Sequence, residues 1–292
     1  FTGNVLAEKG DARKGIITLS CHAMTITLDR TLSLAGKQEK VDNAVGLLMV
    51  ICNSNTDDME GRANPVVIEQ RINPGTPERH IARIEGVQVF FDNSQKDREI
   101  MKVYGPGEIN IVRAGKNQMI DFNASAGQKP ASEPGASVIK LNRILFEKEA
   151  EYRKAEGKLQ FWRNVKMFQV PGDDISMPLD EKRLPRNGIY IASDQLQAYF
   201  LQGPNNTTLQ EAEARGNAEM RMNLSSYVKA DLMTYTEEKG QVVMQGLGGN
   251  DALAYSQDAP GAPYKIHRAK GFLFYLRTNE LRVIDGKSIQ IR

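Results

Sequence analysis

The stretch "GQVVMQGLGGNDALAYSQ", Gly240–Gln257, decides between two kinds of protein. Val242, Val243 and Met244 have the β-branched and apolar character of a strand, and a glycine cluster follows at once. A phosphate-cradling loop needs a helix after its glycines, because the helix N-terminus supplies the free amides and the dipole that hold an anion. Here "NDALAYSQ" continues as another strand and closes on polar turn residues. The spacing is also incomplete. Asp251 stands where a third glycine belongs, and no Lys-Ser/Thr pair follows. Gly246–Gly249 reads as a turn between strands, and the chain as a β scaffold.

Working outward, period-2 alternation recurs in "ITLSCHAMTITL" (Ile17–Leu28), "GVQVFF" (Gly86–Phe91), "EINIVR" (Glu108–Arg113), "KLQFW" (Lys158–Trp162), "GIYIASDQLQAYF" (Gly188–Phe200) and "ELRVIDGKSIQIR" (Glu280–Arg292). Helical patterning is scarce. "TLQEAEAR" (Thr208–Arg215) has helix-forming residues with almost no apolar face. "FEKEAEYRKAEGK" (Phe146–Lys158) is the better helix candidate but sustains no apolar stripe. Gly, Pro, Asn and Ser collect in loops, the longest being "DFNASAGQKPASEPGAS" (Asp121–Ser137). It marks an expected boundary between an N-terminal half, 1–137, and a C-terminal half, 138–292.

The chain has 292 residues, 40% hydrophobic and 25% charged, enough to bury a substantial core and unlike a disordered chain. Thirty-eight basic residues nearly balance 36 acidic ones, so nothing points to a nucleic-acid partner, which calls for a concentrated basic face. The longest apolar run, "AVGLLMVIC" (Ala44–Cys52), is far short of the roughly 20 residues of a membrane-spanning helix. The chain opens on Phe1 and closes on "SIQIR" in strand-like sequence, and is expected to be a piece of a longer protein. Cys21 and Cys52 are too few for a disulfide framework. They permit one bridge in an oxidising compartment, or stay as buried thiols.

No residues call for a metal, a cofactor or a catalytic step. His22, His80 and His267 lie far apart, and Cys21 and His22, adjacent in a strand, point to opposite faces. The acid pairs Asp57-Asp58 and Asp173-Asp174 lack calcium-loop spacing and read as solvated turns. There is no Gly-x-Ser-x-Gly elbow. A pair of glycosidase carboxylates needs no local motif, so a polysaccharide-active β-solenoid stays open as the enzyme alternative.

Two short phrases recur. In the first, a short residue, a polar residue and any residue precede an alternating strand: Cys21-His22-Ala23-Met24, Ile84-Glu85-Gly86-Val87, Ser193-Asp194-Gln195-Leu196, Ala230-Asp231-Leu232-Met233 and Ala269-Lys270-Gly271-Phe272. Ile189 and Ile191 share one parity before it, and Leu196, Ala198 and Phe200 the other after it. Such a phase change needs a bulge or corner. The second phrase is a turn-like Gly or Asn before a strand, as in "TGNV", "WRNV", "RGNA" and "QGLGGNDA". The later copies of the first phrase, at Leu196, Met233 and Phe272, are spaced on the order of 40 residues, the period of a stacked repeat.

With these couplets, distributed over most of its length, the chain resembles the OstA-like family of periplasmic lipopolysaccharide-transport β-jellyrolls, as a divergent multi-repeat member. The couplet is plainest in "FTGNVLAEKGDARKGIITLSCHAMTITL", in "KLQFWRNVKMFQV" with "NGIYIASDQLQAYF", and in "GNAEMRMNLSSYVKADLMTYTEEKGQVVMQG". The resemblance implies an all-β fold, a stacked antiparallel β-jellyroll or β-taco with open edge strands and degenerate repeats. It implies an exported, periplasmic or cell-envelope location and a non-enzymatic role binding or conducting lipopolysaccharide-like acyl chains in an apolar groove. Partners would be that amphiphile, further copies joined head to tail, or other envelope β-jellyrolls. The expected lipid contacts are the inward members of the strands: Met24, Ile26, Leu28, Val87, Val89, Phe91, Leu196, Ala198, Phe200, Met233, Phe272 and Phe274. The second reading is a structural or filament-forming envelope module with a filled core.

Overall fold

In a computed structural model of the chain, the description covers residues 1–11, 15–29, 47–55, 65–72, 80–95, 98–113, 139–202, 207–223, 226–259, 261–276, 278 and 280–284. The strands are β1 (Thr2–Asp11), β2 (Gly15–Leu28), β3 (Leu47–Asn53), β4 (Val66–Ile72), β5 (His80–Gly86), β6 (Gln88–Asp92), β7 (Ile100–Tyr104), β8 (Gly107–Arg113), β9 (Lys140–Phe146) and β10 (Glu149–Arg153). They continue as β11 (Lys158–Pro171), β12 (Ile189–Gln202), β13 (Thr207–Asn223), β14 (Ser226–Thr236), β15 (Gln241–Gln245), β16 (Ala252–Ser256), β17 (Lys265–Ala269), β18 (Gly271–Tyr275) and β19 (Glu280–Val283). They form one 19-stranded antiparallel sheet. Among the described residues the one helical segment is a 3₁₀ turn, Lys154–Glu156.

The register divides this sheet into two layers that share their long strands. In the first layer, the C-terminal part of β2 is followed by β3, β6, β7, β10, the N-terminal part of β11, the C-terminal part of β12, the N-terminal part of β13, the C-terminal part of β14, and then β15, β18 and β19. The second runs through β1, the N-terminal part of β2, β4, β5, β8, β9, and the remaining parts of β11, β12, β13 and β14, to β16 and β17. Shorter strands pass between layers in pairs: β5 into β6, β7 into β8, β9 into β10, β15 into β16 and β17 into β18. The two inner faces meet in one core, in which Phe161, Leu196, Met233 and Phe272 of the first layer join Ile144, Met167, Met220 and Val228 of the second. Apolar burial of this kind contributes roughly 1.5–3 kcal/mol for each large side chain.

The recurrent phrases are the corners. Pairing breaks between Trp162 and Val165, Ala192 and Gln195, and Arg215 and Ala218. At each break the strands leave one layer and enter the other: the inward parity changes on β12 (Ile191 to Leu196) and β14 (Val228 to Met233), and is kept through the left-handed pairs of β11 (Phe161 to Met167) and β13 (Ala214 to Met220). The second phrase supplies paired left-handed residues: Gly3-Asn4 (φ 78° and 45°), Arg163-Asn164 (68° and 47°) and Gly216-Asn217 (72° and 47°). Asn tolerates this region better than most residues and Gly occupies it freely. The first phrase supplies the anchor: Asn217 donates from Nδ2 to Asp194 Oδ2 of the neighbouring strand at 2.9 Å. A Cβ on Gly216 would stand 2.4 Å from that same carboxylate oxygen. The two phrases are the two sides of one joint.

Both weakly helical segments are strands. Thr208–Arg215 lies in β13, with Leu209, Ala212 and Ala214 buried and Glu211, Glu213 and Arg215 between them on the other side. Small apolar residues alternating with charges suit a strand against a packed layer. Phe146–Lys158 is taken up by the end of β9, by β10 and by the 3₁₀ turn. The expected boundary at Asp121–Ser137 lies outside the described residues; β8 before it and β9 after it pair directly, from Gly107↔Phe146 to Arg113↔Lys140. The segment Pro171–Gly188 straps the outer face of the second layer, where Ile175, Met177 and Leu179 cover Val112, Leu141 and Val170. Arg143 pins it, donating to the carbonyls of Met177 (2.8 Å) and Ile175 (2.5 Å) and from Nε to Asn110 (2.8 Å).

Candidate functional site

The inner face of the first layer carries two unbroken rows of side chains running across all its strands. The row nearest the corners is Met24, Cys52, Val89, Val103, Ala150, Phe161, Leu196, Ala214, Met233, Met244, Phe272 and Val283, each registered opposite the next. The second row is Ile26, Val50, Phe91, Met101, Tyr152, Leu159, Ala198, Ala212, Tyr235, Val242, Phe274 and Leu281. No charged residue interrupts either row. One matching row faces them from the second layer, from Ala7 and Leu19 through Ile68, Ile84, Ile109, Ile144, Met167, Ile191, Met220 and Val228 to Ala254. The next row out in that layer is mixed, running Ile17, Gln70, Ala82, Ile111, Asn142, Gln169 and Ile189. There Gln169 donates from Nε2 to Asn142 Oδ1 at 2.9 Å, and both side chains are buried.

This interior differs along its length. In the C-terminal half it is closely packed: Phe161, Met220, Met244 and Phe272 are fully buried, and the gap bounded by Met167, Leu196, Glu213, Met233 and Val242 holds only about 30 Å³, about one water molecule's share. Towards β2–β6 it opens. Met24, Val50, Ile68, Ile84 and Phe91 are half-buried, and Ile17 and Ile26 on the inner face are 40% and 38% exposed.

Of the expected contact residues, Met24, Val89, Leu196, Met233 and Phe272 fall on the first row, and Ile26, Phe91, Ala198 and Phe274 on the second. Phe200, opposite Leu209, and Leu28, opposite Leu47, extend the same face. Val87 is on neither row. It sits in the bend between β5 and β6, 37% exposed, where its amide donates to the Tyr104 carbonyl. The parity reading from the sequence missed the whole row of the second layer. Its signal was present in "VVIEQRI" and "HIARIEG", whose Ile68 and Ile84 occupy alternate positions.

The outer face bears charges arranged by a pattern the sequence also carries. Glu and Arg two residues apart on one strand pair with each other at Glu69/Arg71, Arg83/Glu85, Glu151/Arg153, Glu213/Arg215, Glu219/Arg221 and Glu280/Arg282. Glu151, the most buried of these acids, also takes Lys102 at 2.7 Å. Burial opposes its ionisation, but the hydrogen bonds from Lys102 and Arg153 outweigh that and hold its carboxyl below the ordinary range. These carboxylates are engaged by fixed cations. Among the described residues no group of His, Cys, Asp and Glu has the makings of a metal site.

The glycine loop joins β15 to β16. Gly248 and Gly249 take positive φ, and the amide of Leu247 donates to Asp231 Oδ2 at 2.7 Å, with Asn250 Nδ2 on the same oxygen at 2.9 Å. The amide that a phosphate loop would turn to its ligand is satisfied by the protein's own carboxylate. The loop closes a corner between β15 and β16.

No protein-family model matches the chain, and no curated protein matches it. Among solved structures, the fold is similar to LptH, the LptA-homologous periplasmic component of the lipopolysaccharide transport device from Pseudomonas aeruginosa. The likeness has 8% identity and a TM-score of 0.34, over 52% of this chain and 94% of that one. A likeness that distant carries no inference about activity. Among the described residues no helix is long and apolar enough to cross a membrane.

Proposed function

We propose that the chain is a non-enzymatic cell-envelope protein that takes the acyl chains of a lipopolysaccharide-like amphiphile between its two layers. The observation that carries this reading is the pair of uninterrupted apolar rows of the first layer, facing an apolar row of the second and half-open around Met24, Ile26, Val50, Ile68 and Phe91. An acyl chain is a linear apolar solute with no hydrogen-bonding requirement. A trough with no buried charge or unpaired donor on its floor suits it, at roughly 0.8 kcal/mol for each methylene buried. The hydrogen-bonded amides of Asn142 and Gln169 in the next row suit a boundary between tail and headgroup. The exported location and the cargo class rest on the family resemblance of the corner phrases.

The small free volume of the C-terminal half favours a second reading for that part, a filled core that only props the open half. Native mass spectrometry of protein purified without detergent separates the two. The lipid reading expects a bound acyl amphiphile that leaves on activation. Bare protein, even after incubation with lipopolysaccharide, would mean a filled structural module throughout.

End-to-end association is part of the proposal. Among the described residues β17 has β16 as its one strand neighbour, and Ile266 on β17 is 54% exposed. An unpaired edge is a template for another strand. The C-terminal stretch "KSIQIR" lies outside the described residues. Sedimentation should show self-association that grows with concentration and falls on Ile266→Lys; a strict monomer would remove this part.

A further inference from the structure

We propose that Cys21 and Cys52 form a disulfide that ties the two layers together at their spine. Cys21 ends the second-layer half of β2, opposite Val5 of β1, just before the strand turns into the first layer. Cys52 lies in β3 of the first layer, between Met24 and Val89 on its inner row. In a flat sheet the two would not meet, because Cys52 stands opposite Met24, three residues on from Cys21 and of opposite parity. The corner at His22-Ala23 reverses that parity and folds Cys21 over the first layer. Both are free thiols of the same core, 4% and 0% exposed, and near enough that each acts on the ionisation of the other.

The surroundings fix when the bond forms. Burial pushes both thiols up; the Cys21 sulfur adds to the rise at Cys52, to about 12, while Cys52 partly offsets the rise at Cys21. The thiolate is the nucleophile, and neither cysteine is a ready one once folded. Bridging therefore belongs to folding, while the pair is still wet. A thiolate attacks an external disulfide and releases one thiol; the second cysteine then displaces the other from the mixed disulfide. The protein loses the two thiol hydrogens and gains one S–S bond, and the external disulfide is reduced to its two thiols.

The test uses the full chain, refolded from denaturant either in oxidised and reduced glutathione or in excess reductant. After glutathione refolding, the unfolded protein should resist alkylation, weigh less by the two hydrogens, and give one peptide pair linking Cys21 to Cys52. Closing a loop of about 30 residues should raise the melting temperature by roughly 5–10 °C over the reduced protein. Cys21→Ala and Cys52→Ala, small apolar replacements, should each fold and lose that dependence on redox conditions. Full alkylation of both cysteines after oxidative refolding would overturn the proposal, and so would links only between molecules. The outcome is independent of whether lipid binds.

Discussion

Gly216 is where the local sequence is least replaceable. It combines a φ of 72° with the Asp194 carboxylate lying where a side chain would begin. Gly248 also has positive φ but open space around it. Gly216→Ala should therefore cost about 1–3 kcal/mol, and Gly248→Ala nearer the lower figure, since it bears only the backbone strain. Chemical denaturation of the two variants measures the difference; equal losses would mean that the joint with Asp194 is not formed. Asp231 gives a prediction in pH. The amide of Leu247 and the side chain of Asn250 hold its carboxyl below the usual carboxylate range. A lowered folded value stabilises the fold above the unfolded value and ceases to do so as pH falls through the folded one. Asp231→Asn should thus melt below the wild type at neutral pH, and the two should converge below about pH 4. A gap that persists at low pH would show that the ionised carboxylate is not what secures the loop.

At the scale of the strand, side-chain parity organises the molecule, and each joint resets it on one of its two strands while the left-handed pair on the other keeps it. Leu196 is buried on the first row, while Gln197 is on the outer face, where it accepts a hydrogen bond from Gln160. Leu196→Asp should cost several kcal/mol or prevent folding, while Gln197→Asp should be mild. Similar melting temperatures for the two variants would refute the register. This level was legible in the sequence. The parity switch between Ile191 and Leu196 announced a corner, and the Gly-Asn phrases announced its partner. Asp231 and the glycine cluster were both visible, but not their bond to each other, because "ADLM" and "GLGGN" meet only once β14 and β15 pair. Val87 shows how parity fails: a residue inside a corner belongs to neither phase, and alternation counted through it from Phe91 places it on the wrong row. The row of the second layer was hidden for a different reason. "HIARIEG" and "VVIEQRI" are short and carry outward Glu and Arg, so their inward isoleucines stand out only when the strands lie side by side.

For the whole molecule, the sequence supported an all-β stack with an apolar inside, and the structure is one antiparallel sheet folded into two layers by its own corners. The difference between a closely packed C-terminal half and an open stretch near β2–β6 was not legible, because it depends on how side chains from two layers interlock across the gap. That difference is where the functional reading is most exposed to test. Phe90 and Phe91 are neighbours on β6 and both half-buried, but Phe91 lies on the inner row with Val50 and Met101, and Phe90 lies on the outer face opposite Ile51 and Lys102. A photoactivatable fatty acid carrying a diazirine near its chain end, added to the detergent-free protein and irradiated, reports by peptide mapping which face the acyl chain touches. Labels confined to inward residues such as Met24, Ile26, Val50 and Phe91, and competed away by lipopolysaccharide, are the predicted result. Labels on Phe90 and its outer-face neighbours, or no saturable label at all, would contradict an acyl-binding interior.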